Sequence, residues 1–102
     1  MIGKQYAVYV YTEKTTRNAK TTREEKFTLW ADGDMWENIR TYNAAEKAIK
    51  SAFKKGGYIL VHFGIWDSEA LEFTTYHAES YDREGAEGMT LFQLCDVTEQ
   101  NA

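Results

Sequence analysis

The sequence predicts an α+β domain in which an antiparallel sheet of five or six strands carries one helix packed on one face. Several segments alternate apolar and polar residues with the period of two that half-buried strands show. A single segment, residues 44–55, instead repeats its apolar residues at helical spacing. The length of 102 residues is that of one domain, and we expect residues 1–102 to form a single globular unit.

The first part of the chain predicts two strands joined by a polar segment. Residues 5–12 (QYAVYVYT) and 26–31 (KFTLWA) alternate and are rich in β-branched and aromatic residues. Residues 13–25 between them are polar, threonine-rich and charged, which is typical of a long loop or an extended hairpin tip. Asp32-Gly33 then predicts a turn, because glycine accepts the positive φ that tight turns need.

The segment 35–42 (MWENIRTY) fits two structures. It can be a third strand that closes a hairpin around the preceding turn, or the first part of a long helix, since Ile39 and Tyr42 lie at helical spacing from Ile49. We favour the strand. Asn43 with Glu46 three residues later forms an N-cap and capping-box pattern, and a helix that begins at Asn43 does not begin earlier.

The second part of the chain predicts the helix and three further strands. In residues 44–55 (AAEKAIKSAFKK) lysines lie opposite one apolar stripe, and Gly56-Gly57 ends the helix. Gly64 lies inside the next strand and indicates a bulge or a close packing contact. The remaining elements follow in order: a central strand at 58–66, a return strand at 71–77, a polar acidic loop at 79–88 and a last strand at 89–97.

One short helix leaves one face of this sheet uncovered. A helix of about twelve residues is ~18 Å long and cannot cover five or six strands spaced ~4.8 Å apart on both faces. If Val8, Leu29 and Val61 face the helix, tyrosine and tryptophan face away from it, and these residue types are enriched at binding hot spots. We predict a partner-binding face that contains Tyr9, Tyr11, Trp30, Trp66 and Tyr76. Cover by another segment of the chain, or by a second copy in a homodimer, is the alternative.

Charge is segregated along the chain. The net charge is −4, but after residue 66 nine acidic residues stand against one base, Arg83. We expect the acidic residues to steer the approach of a basic partner, a host protein or a nucleoprotein complex. The acidic residues assigned this role are Glu79, Asp82, Glu84 and Glu87.

A basic stretch early in the chain supports an alternative function. Nucleic-acid binding is disfavoured by the acidic balance, because such proteins usually carry a basic footprint. The hairpin segment nevertheless repeats a basic residue every three positions, and the alternative is an accessory protein that contacts nucleic acid through it. The residues concerned are Lys14, Arg17, Lys20 and Arg23.

The sequence predicts no catalytic residue, metal or cofactor. Pairing Ile65 with Leu71 keeps apolar residues together and places His62 and His77 on opposite faces of the sheet, which separates the two histidines. The chain has no HExxH, CxxC, GxSxG, GxGxxG or Walker-type motif. Cys95 lies in the apolar segment LFQLCDV and is expected to be a buried, inert thiol; a small cytoplasmic enzyme that uses it with a histidine is a second alternative.

Location is predicted from what the sequence lacks. No apolar run approaches ~18 residues, so we predict no membrane span. The N-terminal residues lack the pattern of a signal peptide, and one cysteine cannot form an internal disulfide. We therefore expect a reducing cytoplasm, that of the host if the protein is viral.

The whole chain resembles small phage-encoded inhibitors of the anti-CRISPR type. The features that carry the resemblance are the strand KFTLWA, the capped helix NAAEKAIKSAF, the strand YILVHFG and the acidic last third. The resemblance implies stoichiometric binding, either by an acidic surface that occupies a nucleic-acid channel or by a patch that blocks a partner. These inhibitors are mutually diverse, so no functional residue carries over, and the basic residues from Lys14 to Arg23 depart from a pure DNA-mimic pattern.

Overall fold

The computed structural model describes residues 4–32, 35–67 and 69–102, and it has an α+β fold with one antiparallel sheet. The predicted class is therefore confirmed. The strands are β1 (Lys4–Thr16), β2 (Ala19–Asp32), β3 (Met35–Trp36), β4 (Tyr58–Asp67) and β5 (Glu72–Tyr81), and the helices are α1 (Ile39–Lys54) and α2 (Leu91–Gln100). The strand order is β3-β2-β1-β4-β5.

The predicted numbers of elements differ from this structure. Four strands are long and the fifth, β3, has only two residues, where five or six full strands were expected. The described residues form two helices instead of one. The predicted turn at Asp32-Gly33 lies partly outside the described residues, because Gly33 is not among them.

β1 and β2 form a hairpin that extends beyond the rest of the sheet. β1 pairs with β4 only as far as Tyr11, opposite Tyr58, whereas it pairs with β2 up to Thr16, opposite Ala19. We call residues 12–23 the hairpin arm. Residues 13–25 were predicted to form either a long loop or an extended hairpin tip, and the structure shows the hairpin tip.

The core lies between the sheet and both helices. Val8, Leu29, Ile59 and Val61 are each 0% exposed on the face that the helices cover, as alternation predicts. Both helices lie on this one face, since the hydroxyl of Tyr42 in α1 accepts a hydrogen bond from the first turn of α2. No helix of the described residues lies on the opposite face of the sheet.

α1 begins five residues before the predicted start, so the prediction of a strand over 35–42 is wrong beyond Trp36. The side chain of Asn38, the N-cap residue, makes no capping bond. Its amide instead donates to the carbonyl of Thr28 (2.8 Å) and accepts from the backbone N–H of Trp30 (3.2 Å). Asn38 thus fixes the helix start to β2, and Asn43 lies inside the helix.

The predicted last strand at 89–97 is also wrong, because this segment forms α2. Thr90 is the N-cap, and it exchanges hydrogen bonds with Gln93 in a complete capping box. Leu91, Leu94, Cys95 and Thr98 are buried at helical spacing. Over so short a length, the apolar residues fit both the two-residue period of a strand and the ~3.6-residue period of a helix. Packing onto the sheet selects the helix.

A β-bulge interrupts the pairing of β4 with β5. Phe63 lies opposite His77, but Gly64 lies opposite Thr75, so Tyr76 is the extra residue. This confirms the bulge indicated by Gly64. Before the bulge, the observed pairing of β4 with β5 is shifted by four residues from the predicted pairing. Because four is an even number, His62 and His77 still lie on opposite faces of the sheet.

Candidate functional site

The helix-free face of the sheet is a continuous aromatic surface. Alternation along β1, β2, β4 and β5 brings its side chains to one side, and all of them are partly exposed. We call this surface the aromatic face; it consists of Tyr9, Tyr11, Trp30, Tyr58, Leu60, His62, Trp66 and Phe73.

The rings of the aromatic face pack against each other in pairs. Tyr11 and Tyr58 are stacked, with ring centroids 4.8 Å apart and planes 17° apart. Trp30 and Trp66 meet edge to face at 6.5 Å across the intervening strand β1. Such contacts fix the side-chain rotamers before any partner arrives, which lowers the entropy lost on binding.

A buried glutamine lies beside the tryptophan pair of this surface. Gln5 is directly opposite Trp30 on one side and Gly64 on the other, and it is only 4% exposed. Its Oε1 atom has no hydrogen-bond partner among the described residues. A buried acceptor without a partner typically destabilises a protein by about 1–3 kcal/mol, so Gln5 is a local source of instability beside Trp30.

His62 lies on the aromatic face between Tyr9 and Thr75. Its ring contacts the Tyr9 ring edge to face at 5.0 Å, and its Nδ1 lies 3.3 Å from the Thr75 hydroxyl. Burial, followed by the charge of Lys26, lowers the pKa of His62 below its ordinary value of 6.5. The ring is therefore neutral at pH 7, and the centre of the aromatic face carries no net charge from it.

Charges of both signs border the aromatic face at its hairpin end. The Lys26 ammonium lies 5.5 Å from the centroid of the Tyr9 ring, in a cation–π arrangement. Burial and the neighbouring Glu24 raise the pKa of Tyr11, so its hydroxyl stays protonated and can donate a hydrogen bond. The border thus offers one cation and one carboxylate beside an uncharged centre.

The predicted aromatic set is brought together except for Tyr76. Tyr9, Tyr11, Trp30 and Trp66 share the aromatic face, whereas the Tyr76 ring contacts Phe63 at 6.1 Å. Phe63 belongs to the helix side, where its ring packs on the buried Tyr6. The bulge is the reason. Regular alternation predicts Tyr76 on the helix-free side, and the extra residue at the bulge interrupts that alternation.

The acidic residues that were predicted to steer a partner do not adjoin the aromatic face. Glu79 lies on the helix side and is held from three directions: the hydroxyl of Tyr81 donates to it (2.7 Å), Asn101 Nδ2 donates to it (2.9 Å), and His77 Nε2 lies 3.2 Å away. Tyr81 also lies 2.9 Å from the buried Thr98 hydroxyl. Glu79 therefore joins β5 to the end of α2.

The other three acids lie in or beside the loop that follows β5. Asp82 accepts a hydrogen bond from the backbone N–H of Gly85 (2.7 Å) and shapes that loop. Glu84 and Glu87 line a groove of about 630 Å³ between the loop and α1, together with Lys50 and other residues. Any attraction of a basic partner by these carboxylates is therefore directed to the side of the sheet that carries the helices.

Glu79 leads to a pH-dependent prediction. Its hydrogen bonds lower its pKa below the ordinary 4.5, so its contribution to stability is complete above pH 4.5 and is lost as the pH falls through the lower, folded-state pKa. Because the side chain is partly exposed, we expect the contribution to be about 1 kcal/mol or less. Chemical denaturation of the wild type and of Glu79→Gln from pH 7 downwards measures it. The stability difference should shrink on acidification, and a constant difference would show that the carboxylate charge has no part in it.

The hairpin arm distributes its basic residues over both faces. Lys14 and Arg23 point to one side of the two-stranded arm and Lys20 to the other, with Arg17 in the turn. Lys20 forms an ion pair with Glu13 (2.8 Å), and Arg23 lies 3.9 Å from Glu25. Among the described ion pairs none involves Lys14 or Arg17, so the tip of the arm is its most positive part.

Cys95 is a core residue, as predicted. It is 1% exposed on the inner side of α2, and burial raises the pKa of its thiol to about 12. The thiol is therefore protonated at pH 7. In the described part of the chain, no group of three or more metal-ligating side chains comes together, and no helix is long and apolar enough to span a membrane.

Tyr58, His62, Phe73 and the buried Gln5 belong to the site although the sequence prediction omitted them. Tyr58 and His62 stand at even positions in β4 with Leu60 and Trp66, so the alternation that identified Trp66 could have identified them as well. Phe73 could not be placed in the same way, because its face depends on the bulge.

The fold and this surface define a class: a two-layer α+β protein with both helices on one side of its sheet and aromatic rings on the other. Comparison with protein-family models, curated protein sequences and solved structures finds no match to the chain. Its function is therefore argued from its own geometry.

Proposed function

We propose that this chain is a non-enzymatic protein-binding module whose aromatic face contacts the partner. The observation that carries the proposal is the combination of eight aromatic and aliphatic side chains with a face that no helix covers. Tyrosine and tryptophan provide large contact areas together with hydrogen-bonding groups, and they dominate the energetics of protein interfaces.

The composition of the aromatic face favours a protein partner over nucleic acid. Tyr11 and Tyr58 stack on each other and the Lys26 ammonium lies over the Tyr9 ring, so these three rings have fewer open faces for base stacking. An uncharged centre with a polar border is the usual anatomy of a protein interface. The hydroxyl of Tyr11 and the neighbouring Glu24 carboxylate add polar groups at the border of the face, which can specify the orientation of a partner.

The mode of action that we propose is stoichiometric occupation of a host protein or a nucleoprotein complex. This part rests on the resemblance to phage-encoded inhibitors together with the rigid, preformed surface. A binding module with fixed rotamers needs no conformational change to block its target, and its affinity benefits from that preorganisation.

The test is partner capture with and without the tryptophan pair. The tagged chain is exposed to lysate of the organism in which it acts, and the captured protein is then titrated in purified form. Trp30→Ala combined with Trp66→Ala should weaken binding by at least about 100-fold, because single hot-spot truncations reach about 2–4 kcal/mol. Circular dichroism establishes that the variant is folded.

A matched control addresses the hairpin arm. Arg17→Glu combined with Lys20→Glu changes the arm and leaves the aromatic face intact. Under the proposal it binds the protein partner within about threefold of the wild type. If the arm variant loses binding, the tryptophan variant keeps it, and the affinity falls steeply with salt, nucleic-acid contact through the arm is the function instead. If the wild type self-associates and the tryptophan variant is monomeric, the occupant of the face is a second copy.

A further inference from the structure

The outer edge of β5 is open along the whole strand. β5 is the last strand in the sheet order, and in the described part of the chain no other strand pairs with its outer side. An open edge presents unpaired backbone N–H and C=O groups to solvent. Such an edge can accept an extended segment as an additional strand.

The opposite edge of the sheet is closed in part. Beyond β2 lies β3, and the Asn38 side chain bonds the next two outward backbone groups of β2, on Thr28 and Trp30. Further along β2, the run Arg23 to Lys26 supplies the charged side chains that protect an edge. The two edges of the sheet are therefore different: β3 and Asn38 cover part of the β2 edge, whereas no described strand pairs with the outer side of β5.

β5 also lacks the usual protective side chains. Between Glu72 and Glu79 the strand contains no lysine, arginine or carboxylate, and Tyr76 at the bulge is 56% exposed. The bulge divides the edge into two regular stretches, residues 72–75 and 77–81. The exposed ring of Tyr76 lies between them and offers a contact for an apolar side chain of an added strand.

Charge selects the kind of segment that fits. From Asp67 to Asp82 the chain contains five acidic residues and no lysine or arginine. A second copy fits poorly, because self-pairing along this edge brings two sets of these carboxylates together with no lysine or arginine between them, and like charges repel each other. A lysine-rich extended segment meets the same carboxylates favourably.

We propose that the outer edge of β5 binds an extended basic segment of a partner protein as an added strand. The added strand would lie beside Phe73, so it would enlarge the sheet and border the aromatic face. The proposal goes beyond the function proposed above, because it uses the backbone of β5 and not the tryptophan pair, and either one can fail alone.

The experiment uses a labelled probe peptide of about eight residues, in which lysine and valine alternate to favour an extended strand. Fluorescence anisotropy measures its binding to the full chain, and hydrogen–deuterium exchange locates it. The expected result is slower exchange of the amides of residues 72–81. A glutamate–valine peptide of equal length should bind at least about tenfold more weakly. A lysine–valine peptide that is N-methylated along one edge should bind more weakly still, because it cannot complete the ladder.

Paired charge variants supply the control. Glu69→Lys with Glu72→Lys should weaken probe binding at least about tenfold, whereas Glu84→Lys with Glu87→Lys, which changes the net charge equally but beside α1, should change it less than about threefold. Equal losses in both variants, unchanged binding of the N-methylated peptide, or an absence of protection in β5 would each overturn the proposal. So would a dimer of the chain alone that protects the same amides.

Discussion

Replacing Gly64 by alanine is expected to lower the free energy of unfolding by about 2–3 kcal/mol, because the bulge leaves no room for a methyl group. A Cβ atom at this position would overlap the backbone carbonyl oxygen of Thr74 and lie 2.7 Å from the Phe73 ring. The carbonyl belongs to the neighbouring strand and cannot rotate away as a side chain can. Strand β5 must therefore shift, and Phe73 shifts with it.

Urea denaturation of Gly64→Ala measures this effect, and Gly85→Ala is the matched control. At Gly85 the nearest atom to an added Cβ is the side-chain oxygen of Asp82, 3.2 Å away, which can yield. We expect that variant to stay within about 1 kcal/mol of the wild type. A change at Gly64 no larger than the change at Gly85 would show that the two strands approach less closely than described. Because Gly64 lies between His62 and Trp66, the same variant should also weaken partner binding through the aromatic face.

Replacing Leu94 by alanine is expected to lower the free energy of unfolding by about 3 kcal/mol, the usual cost of truncating a leucine in a closely packed core. Leu94 is 1% exposed and lies on the inner side of α2. The helix is held to the sheet by this side chain and by Leu91, Cys95 and Thr98. Its loss leaves a cavity at the contact between the second helix and β4.

Phe92→Ala is the control for Leu94→Ala, because Phe92 is in the same helix but 40% exposed. Its ring meets Trp36 edge to face at 6.1 Å, so we expect a loss of about 1 kcal/mol. Thermal and urea unfolding give both values. Similar small losses for the two variants would mean that α2 is not packed on the sheet, and that the segment has another structure.

The candidate site was predicted well where it depends on alternation alone. Tyr9, Tyr11, Trp30 and Trp66 were assigned to one face, and the structure places them there with contacts between the rings. Side chains of a strand alternate in direction whatever the strand packs against, so this assignment needs only the sequence. Tyr76 departs from it because the bulge is a property of two paired strands.

The prediction failed for the segments whose structure depends on what they touch. Residues 35–42 contain a helical spacing and a strand pattern at once, and the Asn38 side chain on β2 decides where the helix begins. The capping box of Thr90 and Gln93 was present in the sequence as a local signal for α2. The apolar residues after it also satisfy a strand pattern, and the strand prediction for 89–97 rests on that pattern alone.

The amino-acid sequence by itself determined the fold class, the central parts of the four long strands and the side of the sheet on which most of their rings lie, because these follow from local periodicity. The tertiary structure alone decided that a second helix shares the covered face, that Glu79 is tied to the end of α2, and that β5 keeps an open edge. These features depend on pairs of residues far apart in the chain, and local periodicity carries no information about which of them meet.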